Sequence, residues 1–204
     1  MGSPTNKNHW DTVYETKNPD QVSWTQERPE TSLNFIASFG LGKDARIIDI
    51  GGGDSNLIDC LLDEGYQDIT LLDISEKALE KVKIRLGDRA KKVTFIATDI
   101  TEFKPDHHYD IWHDRATFHF LTEQEQILKY LSITEKNVKG FLILGTFSKN
   151  GPTKCSGLEI KQYDEESMTG QFETHFEKIE CTSIDHTTPF NTIQNFTFCS
   201  FKKR

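Results

Sequence analysis

The stretch that decides the fold is residues 47–66, IIDIGGGDSNLIDCLLDEGY. A short apolar run leads into three consecutive glycines, and a segment with apolar residues at helical spacing follows. Because glycine adopts positive φ and lets another group approach the main chain, this pattern predicts a tight turn between a strand and a helix. In an open α/β sheet such a turn lies beyond the carboxyl end of the first strand, where ligands bind.

Outward from this turn, apolar runs alternate with helical patterns. Strands are predicted at residues 45–50, 69–72, 93–97, 109–112 and 141–147, and helices at 55–64, 76–86 and 122–134. Ser75 is the expected N-cap of the second helix, and Thr122 with Glu125 would form a capping box for the third, whose inward residues would include Leu128. The βαβα order implies parallel strands with helices on both faces, since parallel neighbours need crossover connections.

Two strand-like segments at the end of the chain have no helix between them. Residues 174–184 and 194–201 therefore predict an antiparallel pair that closes the sheet. The expected fold is α/β, with a seven-stranded sheet that is mostly parallel and ends in an antiparallel strand.

Composition narrows the class of protein. The chain has 204 residues, enough for one domain with a sizeable core, and a net charge of −8, which argues against a nucleic-acid partner. No apolar run is long enough to cross a membrane, and residues 1–21 lack the apolar core of a signal peptide. Cys60, Cys155, Cys181 and Cys199 form no metal-binding pattern, so no metal is expected. These four thiols also predict no disulfide framework, and a cytoplasmic location is the simplest expectation.

Three acidic residues lie at or near the ends of the first three predicted strands. A dinucleotide fingerprint is incomplete because Asn56 stands where its third glycine would be, and no P-loop is present. Asp49 precedes the glycines, Asp73 ends the second strand and Asp99 follows the third. A carboxylate in the position of Asp73 can accept both ribose hydroxyls of an adenosine, and Asp99 can accept from an adenine amino group. Each feature also has a simpler explanation: a plain strand–helix turn for the glycines and a helix N-cap for Asp99.

With these residues in place, the chain resembles the class I S-adenosylmethionine-dependent methyltransferases. The matching segments are RIIDIGGGDS, ITLLDIS, FIATDI and YDIWHDRATFHFL. Within that family it is similar to small stand-alone enzymes with the WHDRATFHFL motif, and distantly to the thiopurine and tellurite types. Ser55 departs from the third glycine that the family often has. The resemblance implies a Rossmann-like sheet, a helical lid at residues 1–40 and a single methyltransferase domain at residues 41–204.

The same resemblance implies the site residues. Cofactor-binding residues would be Trp24, Asp49, Gly51, Gly52, Gly53, Asp73, Ile74, Asp99, Ile100 and His113. Catalytic residues would be His113, Asp114 and Arg115. His113 could act as a general base, Asp114 could orient a reacting group, and Arg115 could bind an anionic substrate or pair with Asp114. The aromatic residues Trp10, Tyr14 and Trp24 could face the sulfonium from the lid, or simply pack on the edge of the sheet.

The expected reaction is in-line displacement that carries the methyl group of S-adenosylmethionine to a small-molecule acceptor. A protein lysine methyltransferase of the same fold is the main alternative, so a protein substrate is possible. An NAD-dependent oxidoreductase and a non-catalytic cofactor-binding module are further alternatives. No nucleic-acid or membrane partner is expected.

Overall fold

The computed structural model describes residues 4–204, in which fifteen helices and strands follow the predicted alternation. The helices are α1 (Pro4–Thr16), α2 (Glu30–Ser38), α3 (Leu57–Asp63), α4 (Glu76–Leu86), α5 (Gln124–Asn137) and α6 (Glu165–Phe172). The strands are β1 (Arg46–Ile50), β2 (Asp68–Asp73), β3 (Val93–Ala97), β4 (Tyr109–Arg115), β5 (Val138–Phe147), β6 (Lys154–Cys155), β7 (Leu158–Glu159), β8 (Phe176–Thr187) and β9 (Ile193–Lys203). Four short 3₁₀ helices, Pro19–Gln21, Gly87–Lys92, Ile100–Glu102 and Phe118–Phe120, complete the described elements.

The main sheet has seven strands in the order β3-β2-β1-β4-β5-β9-β8. The first five strands run parallel, whereas β9 is antiparallel to both β5 and β8. The predicted fold class is confirmed, including the antiparallel pair at the end of the chain. The strand order reverses its direction at β1, so that β2 and β4 lie on its two sides and the turns after these three strands share one edge.

Helices cover both faces of the sheet because β1 and its neighbours are buried on both sides. On one face, Ile47 packs with residues of α2, α3 and α4. On the other, Ile48 and Ile50 pack with residues of α5 and α6. Alternate residues of a strand point to opposite faces, so each strand contributes to two separate apolar clusters.

Helix α4 has the predicted start and stop. The Ser75 hydroxyl accepts the Ala78 amide at 3.2 Å, and Gly87 forms the C-cap. The capping box predicted for α5 is wrong by one residue: Glu123 is the N-cap, and its amide donates to Gln126 Oε1 at 3.2 Å. Leu128 is exposed rather than inward, and Tyr130 and Thr134 take the buried positions.

The cysteine pattern predicted no disulfide framework, but the structure contains one disulfide bond. Cys181 on β8 and Cys199 on β9 are direct partners in the antiparallel register and form a disulfide. Residues that face each other across such a pair are close enough to be bridged, although 18 positions separate them in sequence. Cys60 and Cys155 remain free and buried. Within residues 4–204, no helix is long and apolar enough to cross a membrane.

Candidate active site

Side chains of the protein itself pack closely against the glycine turn after β1. Gly51 and Gly53 have positive φ, +60° and +56°. A Cβ atom at Gly51 would overlap the Thr117 hydroxyl, and one at Gly53 would overlap the Tyr14 hydroxyl. Gly52 lies against the Asp49 carboxylate in the same way. The three glycines therefore allow side chains from β1, from the segment after β4 and from α1 to meet on the main chain of one turn.

The first of two cavities at this edge of the sheet, the β3-side cavity, has a volume of about 100 Å³. Its wall combines two carboxylates with apolar side chains and includes Leu72, Asp73, Ile74, Asp99, Ile100 and Leu121. Asp73 Oδ2 accepts the Gly53 amide at 2.9 Å, and its Oδ1 accepts the Ser75 amide at 2.8 Å. Burial raises the pKa of the Asp73 carboxyl to about 7. A carboxylate oxygen can accept a further hydrogen bond, so Asp73 can still receive hydroxyl groups from a ligand.

Asp99 is a helix N-cap and also lies at the wall of a cavity. Its Oδ1 accepts from the Thr101 amide and the Thr101 hydroxyl, each at 2.8 Å, and so caps the 3₁₀ helix Ile100–Glu102. The side chain also lines the β3-side cavity, beside Ile100. The capping interaction holds Asp99 in a fixed orientation at the cavity wall.

The second cavity, the β4-side cavity, has a volume of about 220 Å³. It lies between the N-terminal segment and the ends of β1 and β4, and its wall includes Trp24, Ser32, Asp49, His113, Arg115 and Cys155. Trp10, Tyr14 and Gly51 line both cavities, so the two spaces adjoin at these three residues. Together they form one elongated site with a smaller end beside β2 and β3 and a larger end beside β4.

His113 is held at both ring nitrogens. Nδ1 lies 2.7 Å from Asp49 Oδ1, and Nε2 lies 2.8 Å from the Ser32 hydroxyl. Because a carboxylate only accepts, we assign the ring proton to Nδ1, and Nε2 then accepts from Ser32. All three residues are buried. His113 has no free nitrogen in this arrangement, so its geometry fits a positioning role for Asp49 better than general base catalysis.

Asp114 lies away from the cavities, on the opposite face of β4 from His113. Its Oδ1 accepts the amides of Thr117 and Phe118, both at 3.0 Å, and its Oδ2 accepts the Tyr130 hydroxyl at 2.7 Å. Burial raises the pKa of this carboxyl to about 6. Asp114 therefore fixes the turn after β4, and neither a direct catalytic role nor an ion pair with Arg115 fits this position.

Arg115 lines the β4-side cavity. Its Nη1 donates to the Trp24 carbonyl at 3.0 Å, and the guanidinium carbon lies 4.9 Å from the centre of the Phe196 ring. Its Nη2 is buried without a hydrogen-bond partner, and the guanidinium forms no ion pair with any described residue. Burial lowers the pKa of Arg115 to about 10, so the group stays cationic at neutral pH.

The N-terminal aromatic residues form one cluster over the site. The Trp10 ring lies 5.8 Å from the Trp24 ring and 5.2 Å from the Phe120 ring, and Tyr14 lies 6.2 Å from Trp10. Helix α1 also contacts the turn after β2, since the Ser75 hydroxyl donates to Asp11 Oδ1 at 2.7 Å. Trp10 and Tyr14 line both cavities and Trp24 lines the β4-side cavity, and the role of this segment as a lid stays a prediction.

Most of the residues expected at the site meet there. Asp73, Ile74, Asp99 and Ile100 line the β3-side cavity, whereas Trp24, Asp49, Gly52, His113 and Arg115 line the β4-side cavity, and Gly51 lines both. Gly53 contributes its amide to Asp73. Sequence reasoning missed Ser32, Asp54 and Thr117. Asp54 is buried at the wall of the β4-side cavity, and its position directly after the glycines could have identified it as a site residue. No local sequence pattern connects Ser32 with His113.

Comparison with known proteins identifies a family. A family model described as a methyltransferase domain matches residues 41–188. Among solved structures, the fold is similar to NodS, an N-methyltransferase of Bradyrhizobium japonicum, with a TM-score of 0.71 at 15% identity over 96% of this chain and 98% of that one. It is also similar to the 1,6-didemethyltoxoflavin-N1-methyltransferase of Burkholderia thailandensis, with a TM-score of 0.69 at 15% identity over 98% and 84% of the two chains. At these identities the likeness is one of fold.

Curated relatives match parts of the chain. An eEF1A lysine and N-terminal methyltransferase of Mus musculus is 36% identical over 84 residues, which are 40% of this chain and 12% of that protein. A malonyl-[acyl-carrier protein] O-methyltransferase of Anoxybacillus flavithermus is 35% identical over 131 residues, which are 61% of this chain and 49% of that protein. The chain thus spans less than half the length of either relative, and the two relatives differ in acceptor class.

Proposed function

Since the chain belongs to the methyltransferase domain family, we propose that it carries the methyl group of S-adenosylmethionine to a small-molecule acceptor by in-line displacement. The observation that carries this proposal is the pair of adjoining cavities at the carboxyl edge of the sheet, which share Trp10, Tyr14 and Gly51. One cavity suits an adenosine, and the other leaves space for the methionine end and an acceptor.

The residues present fit the cofactor. An adenosine needs acceptors for its ribose hydroxyls and amino group, and apolar surfaces for its ring. The β3-side cavity supplies the carboxylates of Asp73 and Asp99 and the side chains of Ile74 and Ile100. The bound cofactor would supply a methyl carbon already activated by the sulfonium. The aromatic faces of Trp10 and Trp24 would favour that positive charge.

The remaining work of the protein is alignment and exclusion of water. The His113–Asp49 hydrogen bond holds the carboxylate beside the glycine turn. The lid residues Trp10, Tyr14 and Trp24 close the space over that turn. Because both His113 nitrogens are engaged, His113 removes no proton in this arrangement, and an acceptor that is already deprotonated suits the site best.

A small acceptor is favoured over a protein side chain by the enclosure of the β4-side cavity. Its wall combines α1, the 3₁₀ helix Pro19–Gln21, Trp24 and Cys155 of the β6–β7 hairpin, so the chain covers it from several sides. The protein lysine alternative keeps support from the eEF1A methyltransferases among the relatives. That alternative requires a lysine side chain of the substrate protein to pass between these wall elements into the β4-side cavity.

Two measurements test the proposal. Calorimetry with S-adenosylhomocysteine should detect binding, and Asp73→Asn should weaken it at least tenfold because a charge-assisted hydrogen bond is worth about 1.5–3 kcal/mol. Asp68→Asn is the matched control, since this exposed carboxylate lies at the other end of β2 and pairs with Arg46 at 3.2 Å. Equal binding by both variants, or heat with NAD in place of the nucleoside product, would refute the cofactor assignment.

Turnover then separates the acceptor classes. The protein is incubated with methyl-labelled S-adenosylmethionine and a cell lysate divided by dialysis into small molecules and protein. Label in the small-molecule fraction supports the proposal, and label confined to the protein fraction supports the lysine alternative. Binding of cofactor with no label in either fraction would indicate a non-catalytic module.

A further inference from the structure

Within residues 4–204, the Arg115 guanidinium forms no direct ion pair. Its one hydrogen-bond acceptor is the Trp24 carbonyl, and the buried Nη2 has no acceptor at all. Removing a cation from water is costly unless a charge or a set of hydrogen bonds compensates it. A guanidinium binds a carboxylate through two parallel N–H···O bonds, which would satisfy both the charge and the orphaned nitrogen.

None of the neighbouring titratable groups forms an ion pair with Arg115. Burial lowers the pKa of His119 to about 3, and its Nδ1 accepts the Phe147 amide, so the ring is neutral. Burial raises the pKa of the Cys155 thiol to about 12, so that group is neutral as well. His186 Nε2 donates to the Ser23 carbonyl at 2.7 Å, and burial lowers the pKa of this ring. The Asp49 carboxylate does act on Arg115 through its charge, but its Oδ1 is hydrogen-bonded to His113, and it makes no direct contact that satisfies the guanidinium Nη2.

The position of Arg115 in the sheet separates it from the residues proposed to bind the adenosine. In the order β3-β2-β1-β4-β5-β9, Asp99 follows β3, Asp73 ends β2 and the glycine turn follows β1. Arg115 ends β4, and its guanidinium stacks on Phe196 of β9. Strand β9 is three positions from β1, which is roughly 14 Å at about 4.8 Å per strand. The cation therefore lies on the side of the site opposite the adenosine residues.

We infer that the methyl acceptor is a small molecule that carries a carboxylate, and that Arg115 binds this carboxylate. The inference rests on the proposed methyl transfer and specifies its acceptor class. The lining of the β4-side cavity suits such a ligand, since Trp24 and Pro29 offer apolar surface beside the cation. A cationic lysine side chain would meet like charge at Arg115, which argues against a lysine acceptor here.

The test compares acids with neutral molecules of the same shape. Protein saturated with S-adenosylhomocysteine is titrated with phenylacetate, benzoate, indole-3-acetate and hexanoate, and with the primary amide of each. Binding is followed by calorimetry and by the fluorescence of the cavity tryptophans. At least one acid should bind ten times more tightly than its amide. Arg115→Gln should reduce that preference to less than twofold, and Arg115→Lys should restore part of it.

Two controls keep the result interpretable. Arg46→Gln removes an exposed arginine that pairs with Asp68 at the far end of the sheet, and it should leave the preference unchanged. The dissociation constant of S-adenosylhomocysteine should change less than threefold in Arg115→Gln, which also shows that the variant is folded. The inference is overturned if no acid in the series is preferred over its amide, or if Arg115→Gln keeps the preference. It is also overturned if that variant loses cofactor affinity instead, because the carboxylate at Arg115 would then be the cofactor's own. The cofactor assignment is tested independently by Asp73→Asn.

Discussion

Replacing Gly53 with alanine tests the contact between the lid and the glycine turn. Two costs add at this position. The residue has a φ of +56°, and a left-handed backbone costs a residue with a Cβ about 1–2 kcal/mol. The new methyl group would also overlap the Tyr14 hydroxyl and lie 2.9 Å from Tyr14 Cζ. Overpacking of a buried site costs about 1–3 kcal/mol, so we expect a total loss of about 2–5 kcal/mol in the free energy of unfolding.

Gly40 is a control that separates the backbone cost from the overpacking cost. Gly40 has a similar φ of +63°, but no atom lies within 4 Å of the position of its Cβ. Gly40→Ala should therefore show the backbone cost alone. Tyr14→Phe in the Gly53→Ala background removes the overlapping oxygen and should return part of the difference, while the 2.9 Å contact to Cζ remains.

Urea unfolding followed by far-ultraviolet circular dichroism gives the free energies by linear extrapolation. Calorimetry with S-adenosylhomocysteine provides a second readout, because the Gly53 amide donates to Asp73 and a shifted turn would weaken binding. If Gly53→Ala is no more destabilising than Gly40→Ala, Tyr14 does not pack on the glycine turn, and the proposal that α1 acts as a lid loses its basis.

Two further predictions concern stability. Burial raises the pKa of Asp73 from 3.8 to about 7, so between about pH 4 and pH 7 the folded protein binds a proton that the unfolded chain has released. The contribution of Asp73 to stability therefore falls as the pH rises through this window, and Asp73→Asn should flatten that part of the curve in urea unfolding; an unchanged slope would contradict the burial of this carboxyl. Cys181→Ser opens the disulfide to Cys199 and should cost about 3 kcal/mol by the loop-entropy relation. A reductant should destabilise the native protein by a similar amount and leave the variant unaffected, and a native protein insensitive to reductant would count against the bond.

The fold could be predicted from the sequence because its signals are local. The run of apolar residues at 93–97 coincides with β3, and Ser75 and Gly87 mark the ends of α4 through their own capping geometry. The two adjacent strand patterns at the end of the chain were enough to predict the antiparallel pair β8–β9. The capping prediction failed because the local signal is ambiguous: Thr122 and Glu123 offer overlapping caps, and the helix uses Glu123.

The site was only partly predictable from the sequence. The role of each residue depends on the face of the strand to which its side chain points, and on contacts between residues that are far apart in sequence. His113 and Asp114 are adjacent in β4, and the two-residue period of a strand sends one towards the cavity and the other into the opposite face. That separation could have been read from the sequence. The contact of His113 with Ser32 spans 81 positions and leaves no trace in local patterns. The Cys181–Cys199 bond depends likewise on register, which the spacing of cysteines alone does not fix.

The contacts of α1 connect the lid to both turns of the proposed cofactor site. Tyr14 lies on Gly53, and Asp11 accepts from Ser75; the amides of these same two residues, Gly53 and Ser75, hold Asp73. A ligand that hydrogen-bonds to the Asp73 carboxylate therefore binds a group that is itself hydrogen-bonded to Gly53 and Ser75, the two residues that α1 contacts. Suppose that a ligand binds more tightly when the α1 contacts are formed than when they are broken. It then stabilises those contacts by the difference between its two binding free energies. The residues that would recognise the ribose and those that would keep water out thus form one connected unit, which is why we expect binding and closure to occur together.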